Sequence, residues 1–155
     1  MKAGWVFAII LAVVLVLFVI WLVSIQIEEF ELQKDPKLTE LKNLLRPMFS
    51  TGFNSPQLSK IKTNNILDKV GLYKGDKSYT INKSKVFLCL RDQNGNYYDN
   101  NTLVYVLLHE IAHVLCVEVD HTDLFQEILQ ELLNRASSMG LYDPKIPVVD
   151  NYCEN

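Results

Sequence analysis

The sequence predicts an α+β chain: one membrane-length apolar helix, then a small domain in which a short β-sheet packs on two helices. Three observations predict it. An uncharged apolar run fills the first two dozen residues, a β-prone stretch ends on an Asn-Gly turn signal, and two helical periods occupy the last third. At 155 residues there is room for one modest domain once the apolar run is set aside. Hydrophobic residues make up 49% of the chain, and the excess over an ordinary soluble composition sits in that run.

The run, Ala3 to Val23, carries no charged side chain. At about 1.5 Å per residue its roughly 21 residues span about 31 Å, the thickness of a bilayer's hydrocarbon core. Trp5 and Trp21 stand near its ends, where indole rings favour the headgroup boundary. A signal peptide would have a shorter apolar core and a small-x-small cleavage site, whereas here Ser24 to Ile27 lead straight into Glu28 and Glu29. Residues 1–28 are therefore expected to be an uncleaved transmembrane anchor in a lipid bilayer. Lys2 argues for one orientation and Lys34, Lys37 and Lys42 for the other, so the side of the domain stays open.

Residues 29–56 read as a juxtamembrane helix and linker. Asp35 and Pro36 form an N-cap and a first helical position, and Leu38, Leu41, Leu44 and Leu45 keep helical spacing up to Arg46, with a stop expected before Pro47. Phe49 to Pro56 is turn-rich. Residues 57–155 are expected to form the domain. Gln57 to Val70 suits a short helix closed by Gly71. Ser78 to Asp92 is β-prone, and Tyr97 and Tyr98 return after the Asn94-Gly95 turn. One of Asp99, Asn100 or Asn101 caps a buried helix from Thr102 to about Val117, and a last helix runs from Thr122 to Met139 before Gly140.

A net charge of −3 gives the chain as a whole no attraction to nucleic acid. The stretch from Lys60 to Arg91 is lysine-rich, which reads first as a solvated face and second as a surface for anionic lipid or nucleic acid. Cys89, Cys116 and Cys153 are odd in number and scattered, which is not the pattern of a disulfide framework and leans towards a reducing compartment.

The chemistry concentrates in Thr102 to Val117. Apolar residues surround most of that helix, yet His109, Glu110 and His113 are set into it. Burying such groups without partners would cost several kcal/mol, roughly, and a bound cation removes that penalty. His109 and His113 are one turn apart on one face, so both imidazoles can reach one ion, and Glu110 stands beside the first as a general base. His121, the chain's third histidine, opens the last helix and completes a ligand set. The alternative third ligand is Glu131, with Glu127 behind it.

The run from His109 to Phe125, with HExxH followed by a third histidine in an HxxxF element (His121 to Phe125), resembles the small zincins of the SprT and WLM families. The resemblance covers Leu103 to Leu133. It departs from the metzincin pattern, since Cys116 stands where a glycine is usual and Val119 where a histidine is usual. It implies a minimal zincin-like domain, a Zn²⁺ cofactor and hydrolysis of a peptide or protein substrate. The expected mechanism uses Glu110 to take a proton from water on the metal. Lys85 to Arg91 is expected to be an edge strand that pairs with the substrate, and Tyr142 is a candidate oxyanion donor. Two alternatives remain. In one, the zinc only stabilises a small interaction domain, closed by Cys116 or Glu131 as a fourth ligand. In the other, a SprT/WLM-like protease associates with nucleic acid through the Lys60–Arg91 segment.

Overall fold

A computed structural model of the chain describes residues 2–50, 52–53, 55–59, 66–150 and 152–153. It divides into two units, one ending at Lys34 and one running from Asp35 onward.

The first unit is a single helix, α1 (Lys2–Gln33). From Gly4 to Gln33 it is long and apolar enough to cross a membrane. From Trp5 to Ile25 its large apolar side chains are exposed all round, between 74% at Trp5 and 38% at Ile25. Ser24 closes its own hydroxyl on the carbonyl of Ile20 at 2.9 Å. The helix continues ten residues beyond the apolar run, through Glu28, Glu29 and Glu31.

The second unit is α+β. Its helices are α2 (Pro36–Ser50), the single turns α3 (Pro56–Ser59) and α4 (Ile66–Lys69), α5 (Asn100–Leu115) and α6 (Asp123–Ser138). Its strands are β1 (Gly71–Lys74), β2 (Tyr79–Ile81) and β3 (Lys85–Leu88), in the order β1-β3-β2. β1 lies parallel to β3 and β2 antiparallel to it. Burial alternates along β3: Val86 and Leu88 are sealed in the core while Lys85 and Phe87 face outward. On the outer face Phe87 stacks between Tyr73 and Tyr79, with ring centroids 4.9 and 4.8 Å away. Leu103, Leu107, Leu108 and Ile111 of α5, with Phe125, Ile128 and Leu132 of α6, fill the space behind the sheet.

The caps follow the local sequence. Asp99 accepts from the Thr102 amide at 2.9 Å and starts α5. Thr122 accepts from Phe125 N and starts α6. Gly140, in the left-handed region at φ 69°, closes α6, with Leu141 N donating to Ala136 O at 2.9 Å.

Four expectations are corrected. α2 does not stop before Pro47 but runs on to Ser50. An internal proline costs about 3 kcal/mol, and here the burial of Met48 and Phe49 offsets it. The supposed linker is core, since Phe49 and Phe53 are buried, so the globular unit starts at Asp35 and not at residue 57. The helix expected over 57–70 is represented by two single turns, with 60–65 outside the described residues; Gly71 opens a strand that the sequence reading did not foresee. Finally, β3 is the central strand and not an edge. The edge beside it is β2, because Asn82 and Lys83 adopt φ 49° and 52° and fold the chain back in a tight hairpin.

The cysteine reading is also overturned. Cys89 and Cys153 form a disulfide, with Cα atoms 6.3 Å apart across a sequence separation of 64, and Cys116 is free and buried. Linear scatter does not report spatial distance: the aperiodic C-terminal tail returns to the end of β3. Such bridges form and persist in oxidising compartments, the opposite of the earlier lean. Cys153→Ser is expected to lower the free energy of unfolding by about 2–4 kcal/mol, the usual effect of opening a long loop. Urea titrations of oxidised wild type and variant measure it, and superimposable curves would show that the bridge stabilises nothing.

Candidate metal centre and active site

α5 carries His109 and His113 on one face of its last two turns. The helix ends where Cys116 leaves helical conformation, and the Lys83 ammonium, from the β2–β3 hairpin, donates to the Cys116 carbonyl. A cation at a helix C-terminus also complements its dipole. The chain then turns through Asp120, held at φ 69°, which swings His121 back over the helix it has just left. Phe125, one turn further on, is fully buried beneath the three imidazoles. Its ring centroid lies 5.0, 4.3 and 4.8 Å from those of His109, His113 and His121.

The three Nε2 atoms converge. His121 Nε2 is 3.0 Å from His109 Nε2 and 3.2 Å from His113 Nε2. One Nε2–H can bridge only one such pair, whereas a cation at the centre satisfies all three lone pairs. With Zn–N distances of about 2.0–2.1 Å, tetrahedral ligands stand about 3.3–3.4 Å apart. The observed separations fall just inside that value, so the donor set fits a divalent ion of zinc's size and preference. Ligation also needs neutral imidazole. Burial first, then His113 and His121 beside it, press the pKa of His109 down to about 4. His113 is lowered as well, by burial and then by His121.

Glu110, next to His109 on α5, is 5% exposed. Thr80 of β2 donates its hydroxyl to Glu110 Oε2 at 2.8 Å, with the Glu110 carbonyl 3.2 Å away. Burial raises the Glu110 pKa, opposed by the Thr80 hydrogen bond. Glu110 and the three histidines line one cleft of about 500 Å³, whose walls are β2 with its hairpin and the α5–α6 turn. A carboxylate with a raised pKa in that cleft is equipped to exchange protons with a molecule bound there.

The other candidates lie elsewhere. Glu131 accepts the Ser55 hydroxyl and Glu127 accepts from Gln57 Nε2 at 2.7 Å, and neither belongs to the histidine cluster, the one metal-competent group among the described residues. Cys116 is outside it too. Tyr142 packs on Tyr105, with centroids 6.1 Å apart, and lines a separate hollow beside Asn101 and Lys145. Burial raises its pKa, but its hydroxyl is not part of the cleft wall.

Sequence reasoning missed Thr80 and the brace behind it. Tyr152 donates to the Cys89 carbonyl and accepts from Ser78 Oγ at 3.0 Å; Ser78 Oγ in turn accepts from Cys89 N at 3.0 Å. Burial pushes the Tyr152 phenol up to about 12, so this donor stays protonated. The disulfide and Tyr152 together pin the strand entry to β2. The available signal was the period-2 position of Thr80 between outward-facing Tyr79 and Ile81, which aims a hydroxyl at the core.

Fold and site together define an α+β protein with a membrane-length helix and a histidine triad that could hold a metal. Its relatives are viral. The chain is 54% identical over 99 residues to an uncharacterized protein of Invertebrate iridescent virus 6, covering 62% of this chain and 56% of that protein. It is 46% identical over 97 residues to one of Invertebrate iridescent virus 3, covering 62% and 61%. A third, from Acanthamoeba polyphaga mimivirus, is 40% identical over 86 residues, covering 51% and 44%. The chain thus spans about half the length of the curated relatives it matches. No protein-family model and no solved structure matches the chain.

Proposed function

We propose that the chain is a membrane-anchored zinc peptidase with a minimal zincin-like domain, resembling the SprT and WLM families, that hydrolyses peptide or protein substrates. The observation that carries this reading is the convergence of His109, His113 and His121 Nε2 at 3.0 and 3.2 Å in the cleft that Glu110 lines. What zinc supplies when bound there is Lewis acidity, which brings the pKa of water towards about 7 and polarises a carbonyl. The chain's own residues do the rest. Glu110 accepts a proton from water and returns it to the departing amine. Phe125 closes the floor under the imidazoles and keeps water from their far side. β2 is an edge strand whose Tyr79 and Thr80 line the cleft, and in this reading it pairs with an extended peptide, the role first expected of Lys85 to Arg91.

A metal that only stabilises the fold would want a fourth protein ligand. Cys116 and Glu131, the two considered, stand outside the triad, which favours an open coordination position. Of the lysine-rich segment, Lys83 is engaged with Cys116 O and Arg91 with the Tyr97 ring, which favours the peptidase reading over the nucleic-acid one, while Lys69, Lys74 and Lys77 are exposed and Lys60 and Lys62 fall outside the described residues. The apolar helix Gly4–Gln33 serves in this reading as the bilayer anchor.

The test is metal removal. Purified in detergent, the full chain should carry one zinc per chain and cleave casein or a mixed fluorogenic peptide library. Chelation should abolish cleavage and added zinc restore it. A protein that loads zinc but cleaves neither substrate under any of these conditions rejects the peptidase.

A further inference from the structure

We infer that Thr80 is a positioning residue for the general base: its hydroxyl, delivered by the edge strand β2, holds the Glu110 carboxylate against the cleft. The inference rests on the peptidase reading for its consequence, but its geometry stands apart from the metal. Glu110 has three side-chain torsions, and a base is effective only when its oxygen stays within hydrogen-bond reach of the proton it takes. Its neighbours one turn away on α5 are Val106, Leu107, His113 and Val114, of which only His113 is polar, and its ring belongs to the histidine cluster. The hydrogen bond that orients it comes from another element, thirty residues back in the chain.

The geometry divides the two carboxylate oxygens. The Thr80 hydroxyl engages Oε2 at 2.8 Å, and on this inference Oε1 is the oxygen left to work in the cleft that Glu110 lines. The tie is firm because β2 is itself braced, by three register pairs to β3 and at its entry by Ser78, Tyr152 and the Cys89–Cys153 bridge. The same strand therefore aligns both partners of the reaction: its outer edge meets the peptide, and Thr80 fixes the base.

Thr80→Val keeps the β-branched shape and removes the donor, while Thr80→Ser keeps the donor. In the full chain in detergent, Thr80→Val is expected to retain one zinc and the wild-type circular dichroism. Its kcat should fall about ten- to a hundredfold with KM within about twofold, because the loss falls on orientation in the transition state and not on binding. Thr80→Ser should restore most of the lost turnover. A second measurement needs no activity: the loss in Tm caused by Thr80→Val should largely vanish when Glu110 is already alanine. Wild-type turnover in Thr80→Val, equal losses in the valine and serine variants, or the same Tm loss in both backgrounds would each overturn the inference. If the wild type cleaves nothing, the peptidase reading falls, and the Tm cycle still decides whether Thr80 holds Glu110.

Discussion

Glu110→Gln is expected to keep its zinc and to lose turnover by about 10²–10⁴-fold, the range that general acid–base catalysis contributes. The substitution is nearly isosteric, and the amide oxygen can still accept the Thr80 hydroxyl, so the contact to β2 survives. What disappears is the capacity to take a proton at neutral pH. On the peptidase reading zinc should be untouched, because Glu110 is outside the group that could hold it, His109, His113 and His121. The burial that raises the Glu110 pKa makes the wild-type carboxylate a better proton acceptor than an exposed one, which enlarges the loss. Metal analysis and single-turnover cleavage of the fluorogenic peptide library on the same preparation measure both halves. Unchanged turnover with full zinc would mean that another group is the base. Lost zinc would mean that the variant had disturbed the triad.

His121→Ala carries the other large effect. Two imidazoles on one helix face remain, and removing a direct ligand should weaken zinc by more than the 10–100-fold, roughly, that loss of a supporting contact costs. Zinc-dependent stabilisation should shrink with it, since a ligand stabilises only by its affinity for the folded state. Glu131→Ala is the control. Its carboxylate is held by Ser55, away from the cluster, so zinc affinity should stay at the wild-type value. Competition with a chromophoric chelator reads both affinities. The reverse pattern, with Glu131→Ala losing zinc and His121→Ala keeping it, would replace the third ligand and dissolve the open cleft on which the peptidase reading depends.

Much of the fold was legible because it is local. Leu38, Leu41 and Leu45 fall on one face of α2 by helical spacing alone, and Asp99, Thr122 and Gly140 mark helix ends through interactions that reach no further than a turn or so. The membrane-length helix needed only its composition. The paired histidines needed only the i, i+4 rule. Pro47 was misread for the same reason that the others were read: locally it ends a helix, and only the burial of Met48 and Phe49 outweighs that preference.

The sequence by itself determined which residues are chemically able to act: three imidazoles, a carboxylate beside the first, and an apolar helix to carry them. Tertiary structure decided which of them meet. It made β3 central and β2 the open edge, joined Cys89 to Cys153, gave Glu131 to Ser55, left Tyr142 outside the cleft and brought Thr80 to Glu110. The physical reason is range. Periodicity and capping are written into residues three or four apart, whereas these pairings close loops of about 30 to 76 residues and depend on the path of everything between them.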